Sequence, residues 1–173
     1  MNILTSKFYS ASAIEIAPIL IGKLLCRKIN GKIIKFRITE TEVYFGESDT
    51  ACHAHKGCTP RTQVMYKSGG IAYIYLCYGI HNLLNIVTGT KDHPQAVLIR
   101  GADKYNGPGK LTKALEIDRS FNDRSLIKEN GLWLEDDGLT FDYIATPRIG
   151  IHYASVEDQN KLWRFIAKNS IIQ

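Results

Sequence analysis

No apolar run in the 173 residues reaches the roughly 18 needed to cross a membrane as a helix, and the start, M-N-I-L-T-S-K, has no charged stretch followed by an apolar one. A soluble cytoplasmic protein with no membrane partner is therefore expected. Cysteine is scarce: Cys26, Cys52, Cys58 and Cys77 are even in number, but a chain this long can bury enough core to need no disulfide staples. Reduced thiols are expected. Internal repeats, low-complexity tracts and linkers are absent, which excludes solenoid and multidomain organisation and leaves one domain over residues 1–173. The phosphate-loop pattern G-x4-G-K-[ST] is also missing, so a nucleotide triphosphatase of that type is excluded. Acidic residues number 17 against 22 Lys and Arg, giving a net charge of +5. That mild excess is compatible with a polyanionic partner without requiring one.

What is present reads as helices around antiparallel strands. Ser10 or Ser12 can cap a helix whose apolar positions are Ile14, Leu20, Ile21 and Leu24, with Pro18 near its start or kinking it. Asn30-Gly31 is a hairpin signal between Leu25–Ile29 and Ile33–Tyr44. Further strands are expected at Ile71–Tyr78, Asn82–Val87, Ala96–Arg100, Leu132–Glu135 and around Trp163, Phe165 and Ala167, which share a face by alternation. Asn106-Gly107-Pro108-Gly109-Lys110 opens a helix, whose N-terminal N–H groups could hold a phosphate. The stretch between Phe121 and Thr146 is irregular apart from the strand at Leu132. The fold class is α+β, a curved and mostly antiparallel, barrel-like sheet with helices packed around it.

The segment with most chemistry is Thr39 to Thr59, T-E-T-E-V-Y-F-G-E-S-D-T-A-C-H-A-H-K-G-C-T. Strict alternation puts Glu40, Glu42 and Tyr44 on the face begun by Phe36 and Ile38, aiming two carboxylates at an interior. A buried carboxylate must be paired, hydrogen-bonded or held for chemistry. Tyr73 and Tyr75 share a strand face, and Asn85 is a buried amide, either a structural clip or a reader of a ligand edge. Cys52, His53, His55 and Cys58 are zinc-ligand types, but their spacing is crowded and no second pair follows. No metal or cofactor is expected.

E-T-E-V-Y-F-G, A-C-H, T-P-R, Y-I-Y-L-C-Y-G, N-L-L-N-I, V-L-I-R, N-G-P-G-K-L and W-R-F occur in that order, and together they resemble the alkyladenine (3-methyladenine, methylpurine) DNA glycosylase family. The resemblance runs from about Leu20 to Phe165. It implies hydrolysis of the bond between a damaged purine and deoxyribose, after the base has left the duplex stack. Glu42 matches the family's general base. Arg100 and the Ala167 carbonyl match the groups that orient the water. Tyr44, Tyr75 and His53 match the pocket that stacks the base, with Tyr73 supporting His53 and Asn85 disfavouring guanine. Tyr78 matches the aromatic wedge that enters the DNA, and Thr59, Arg61 and Lys110 are expected to bind the DNA.

The implied partner is double-stranded DNA bearing 3-methyladenine, 7-methylguanine, hypoxanthine or ethenoadenine, acted on by a monomer. No lysine falls in the matched catalytic positions, so a water-using enzyme without lyase activity is implied. Three departures from the family stand out: the short G-A-D-K-Y after Arg100, His81 where an aromatic is usual, and Ile171 and Ile172 at the end. Two other readings compete, a non-catalytic nucleic-acid-binding module and a zinc protein built on Cys52 to Cys58. Glu42 argues against the first, which has no use for a buried carboxylate beside a stacking pocket.

Overall fold

A computed structural model describes residues 2–168; Ile171 and Ile172 lie outside the described residues. In chain order the elements are β1 (Asn2–Ile3), α1 (Ser6–Tyr9), α2 (Ala13–Ile19), β2 (Leu24–Ile29), β3 (Lys32–Phe45), β4 (Ala72–Cys77), β5 (His81–Val87), β6 (Gln95–Ala102), β7 (Tyr105–Asn106), α3 (Pro108–Ala114), β8 (Leu132–Asp136), β9 (Tyr143–Thr146), α4 (Val156–Asn160) and β10 (Arg164–Ala167). Each expected strand is there within a residue or two. β9, in the stretch read as irregular, and the short α4 were not anticipated.

The pairings are antiparallel and run β1-β8-β2-β3-β6-β5-β4, with β10 on β3, β9 on β10, and β7 on β6. This is the expected α+β class with a large, mostly antiparallel sheet; among the described residues its outermost strands do not pair, so it is not closed into a barrel. The β2–β3 hairpin turns through Asn30 and Gly31, with φ of 49° and 80°. Positive φ at both central residues is what a two-residue turn matched to strand twist demands.

Ser12 caps α2 in a reciprocal capping box with Glu15. Leu20 and Ile21 are buried as expected, together with Ala13, Ile16 and Ala17, whereas Ile14 is exposed and Leu24 already belongs to β2. Thr41 of β3 fastens this helix to the sheet by donating its hydroxyl to the Ala17 carbonyl at 2.9 Å.

β3 carries the site, and its alternation is interrupted. Ile38 pairs with Ala102, Glu40 with Gly101 and Thr41 with Ile99, so Thr39 is an extra residue on β3 and Arg100 an extra one on β6. Each extra residue shifts a period of two by one position. Ile38 and Ala102 lie in the main core, yet beyond the double bulge the core positions are Thr41 and Val43 on β3 and Val97 and Ile99 on β6. Glu40, Glu42 and Tyr44 therefore do not continue the face of Ile38, as strict alternation predicts. They turn to the opposite face of the sheet, and there the cleft lies.

Candidate active site

Antiparallel pairing sets residues opposite one another on the same face, and one such row crosses five strands: Tyr73, Asn85, Leu98, Glu42 and Arg164. Above it opens a cleft of about 730 Å³. Nine of the residues singled out from sequence line it: Tyr44, His53, Arg61, Tyr73, Tyr75, Tyr78, Asn85, Arg100 and Lys110. Glu42 lies behind this lining with no exposed surface.

Three groups hold the Glu42 carboxylate. The Ile149 backbone N–H donates to Oε1 at 2.8 Å, while the Tyr44 hydroxyl, at 3.0 Å, and Arg100 Nη1, at 3.4 Å, meet Oε2. Burial pushes the Glu42 pKa above the ordinary carboxylate range, against the pull of Arg100, the Ile149 amide and Tyr44. Arg100 is itself oriented by Glu40, whose Oε1 receives Arg100 Nε at 3.0 Å and Arg164 Nε at 2.5 Å. Glu40 thus serves as the anchor of two arginines, and Arg100 extends past it to Glu42.

The Ile149 amide is placed by its neighbour. Arg148 and Asp49 form an ion pair at 2.6 Å with both side chains wholly buried. Arg148 also donates to the carbonyls of Val43 and Asp158, and its guanidinium lies 5.2 Å from the Tyr44 ring and 5.1 Å from the Trp163 ring. Asp49 in turn accepts from the Phe45 and Ala51 amides. The pair ties the loop after β3, the segment after β9 and the start of α4 into one block behind Tyr44 and Glu42.

The aromatic side is built from β4 and the loop before it. Tyr73 and Tyr75 have ring centroids 5.8 Å apart, and His53 stands edge-on to Tyr75 at 4.5 Å. His53 Nδ1 lies 2.9 Å from the Tyr73 hydroxyl, and burial together with nearby Arg61 lowers the His53 pKa to about 4. The imidazole is neutral at physiological pH. Asn85 is buried, its amide group directed at the carbonyls of Tyr73 and Leu83 at 3.3 and 3.4 Å.

Tyr78 occupies the tip between β4 and β5 rather than the strand itself. It is 88% exposed with φ of 51°, and Ile80 beside it is 72% exposed. Positive φ is an uncommon conformation for a bulky residue, and it presents the ring outward from the lip of the cleft.

Other expected residues fall elsewhere. The Ala167 side chain is in the main core, and Ala167 lies three residues along β10 from Arg164, the residue opposite Glu42. At ~3.3 Å per residue that is about 10 Å away, too far for its carbonyl to share a water with Glu42. The backbone group that the structure brings to Glu42 is instead the Ile149 N–H. The Thr59 hydroxyl is used within its own turn, 3.0 Å from the Thr62 hydroxyl. Lys110 does line the cleft, although it stands exposed at the rim.

The zinc reading finds no support, since among the described residues no three His, Cys, Asp or Glu side chains cluster as a metal site would need. His55 Nδ1 contacts the Glu47 carbonyl, and Cys58 is exposed. Sequence reading also missed Arg148, Ile149 and Tyr153, which lines the cleft and donates its hydroxyl to the Ala51 carbonyl at 2.9 Å. Only P-R-I-G, an arginine between two turn-forming residues, could have drawn attention there.

An α+β scaffold with a ring-stacking cleft, a buried carboxylate–arginine centre behind it and an exposed aromatic at its lip has the parts of a base-handling hydrolase. Comparison with known proteins narrows this. A profile of the Methylpurine-DNA glycosylase (MPG) family matches residues 7–105 and 101–171, and the chain belongs to that family. Proteins provisionally described as 3-methyladenine DNA glycosylases are similar throughout. One from Borrelia garinii subsp. bavariensis is 47% identical over 94% of this chain and 95% of its own length. One from Psychrobacter cryohalolentis is 40% identical over 88% and 86% of the two chains, and one from Methanocella arvoryzae 40% over 98% and 94%.

Proposed function

We propose that this protein is a monofunctional DNA glycosylase, acting as a monomer, that takes an alkylated or deaminated purine out of duplex DNA and hydrolyses its N-glycosidic bond. The observation that carries the reading is Glu42, buried and held by three donors directly behind the aromatic cleft. The extruded base lies against Tyr44 and Tyr75, where stacking on an aromatic is worth ~1 to 3 kcal/mol per base. Glu42, as the carboxylate, takes a proton from a water attacking C1′ as the bond to the base breaks, and its charge stabilises the oxocarbenium character that develops on the sugar. Arg100, fixed through Glu40, favours the ionised carboxylate, and the Ile149 N–H holds its other oxygen. The product is a free purine and an abasic site.

An amine nucleophile would instead give strand cleavage. Lys110 is the lysine that lines the cleft, and it stands exposed, away from the desolvated surroundings that make lysine nucleophilic. Incubation with duplexes carrying a single hypoxanthine or ethenoadenine, and with methylated DNA, tests both points. Free base should appear, with strand breaks only after alkali. Breaks without alkali would overturn the water mechanism, and binding without release from any of the three would favour a non-catalytic module.

The wedge makes a separate expectation. With its aromatic ring outside the protein, Tyr78 fills the gap left by the departing base and offsets part of the unstacking cost. Tyr78→Ala should weaken binding to a lesion duplex about tenfold, and much less to a duplex in which an abasic analogue already holds the site open. Equal losses on both duplexes would remove Tyr78 from that role.

A further inference from the structure

Arg61 was expected to bind DNA, and its guanidinium folds over the base cleft. Nη2 lies 3.2 Å from His53 Nε2, and Cζ lies 5.3 Å from the centre of the Tyr75 ring. A guanidinium only donates, so Nε2 must accept, and the imidazole proton then sits on Nδ1, donated to the Tyr73 hydroxyl 2.9 Å away. His53 in this state has no N–H left to offer a ligand. It works as a bracket that holds Arg61 against Tyr75.

A second observation concerns sign. Among the described residues the charged side chains lining the cleft are Arg61, Arg100 and Lys110, with no carboxylate among them. The nearest carboxylates, Glu40 and Glu42, lie behind, each already engaged by an arginine. The Tyr44 ring also carries a cation against it, the buried guanidinium of Arg148 at 5.2 Å. An aromatic ring attracts a cation through its electron-rich face. Where guanidinium groups already attend both aromatic residues, a positively charged ligand gains little attraction and meets like charge. A neutral ring loses nothing by this, and a carbonyl or ring nitrogen on its edge can accept from Arg61.

Resting on the glycosylase reading above, we infer that Arg61 is a specificity-determining residue of the base pocket, selecting neutral damaged purines such as hypoxanthine over cationic N-alkylpurines such as 7-methylguanine. Tyr44 and Tyr75 supply the stacking common to both classes, and Arg61 supplies the discrimination.

Single-turnover release of hypoxanthine and of 7-methylguanine from matched duplexes, with wild type, Arg61→Gln and Arg61→Lys, tests this. Arg61→Gln should lower the hypoxanthine to 7-methylguanine ratio of kcat/KM at least tenfold, and Arg61→Lys, which keeps the charge, should retain most of the wild-type ratio. The dependence of log Kd on log salt should keep its slope in Arg61→Gln. A fall of both activities by one common factor, with the slope reduced by about one, would make Arg61 a phosphate contact and overturn the inference. Arg61 is exposed, so a folding defect will not obscure the result. Release of neither base by wild type would remove the glycosylase reading, and the inference with it, whereas a common factor in the variants removes only the role of Arg61.

Discussion

Glu42→Gln protein is expected to fold, to bind a lesion duplex within a few-fold of wild type, and to release base about 10³-fold more slowly. With the amide oxygen kept on the Ile149 N–H, the amide NH2 takes the place of Oε2, where it can donate to the Tyr44 hydroxyl but no longer receives Arg100, so the change stays local. What is lost is the ability to take a proton, a contribution of typically 10² to 10⁴ in rate. Two further readouts have a definite sign. Burial raises the Glu42 pKa, and only the carboxylate is a base, so wild-type release should climb with pH through an inflection above the ~4.3 of a free glutamate. The Gln variant should lack that inflection.

For stability, an acid whose folded pKa is raised binds its proton more tightly in the folded state. Stability therefore declines as pH rises between the unfolded and the folded pKa. Glutamine removes this cost, so at neutral pH the variant should melt at or above the wild-type temperature. A variant that melts well below wild type, or that still shows the inflection, would assign Glu42 a structural part instead.

The second large effect should come from a residue outside the cleft. Asp49→Asn leaves Arg148 charged in a site with no exposed surface, and stranding one partner of a buried ion pair typically costs 3 to 5 kcal/mol. For a chain of this size that corresponds to a fall in Tm of roughly 10 °C. Replacing both residues with apolar ones, Asp49→Leu with Arg148→Met, removes the stranded charge and should recover much of the stability. Base release should nevertheless stay about tenfold below wild type, because the Ile149 amide and the Tyr44 ring lose the group that sets their positions. Thermal melting and single-turnover release, measured on the single and double variants, separate the two roles. Recovery of both would make the pair a stabilising element only.

The outline of the fold and most of the cleft could be read in the sequence because they follow from local pattern. Alternation put Tyr73 and Tyr75 on one face, and cross-strand pairing then brought Asn85 and Leu98 beside them. Asn30-Gly31 fixed the hairpin and Ser12 the start of α2. What failed was long-range or broke a period. The direction of Glu42 came out opposite to strict alternation because the double bulge depends on how two distant strands register. Gly101 was the available clue: a Cβ there would lie 3.1 Å from the Thr39 hydroxyl, the close approach that an isolated strand glycine can signal. Ile149 acts through its backbone, and no side-chain type advertises an amide. Ala167 was placed by resemblance of a short segment, and the register of β10 on β3 moves it away.

The two extra residues at the bulge also act as a matched set. Thr39 on β3 and Arg100 on β6 cancel, so the pairing offset of Ile38 with Ala102 returns at Glu42 with Leu98. With Thr39 gone, plain alternation would still keep Ile38 and Thr41 on one face, and Arg100 would stay behind as a single unmatched bulge on β6. Losing an ordinary residue such as Thr41 would instead be a frameshift that turns the rest of β3 over and carries Glu42 to the core face. Single-residue deletions at the bulge are therefore better tolerated than deletions beside it.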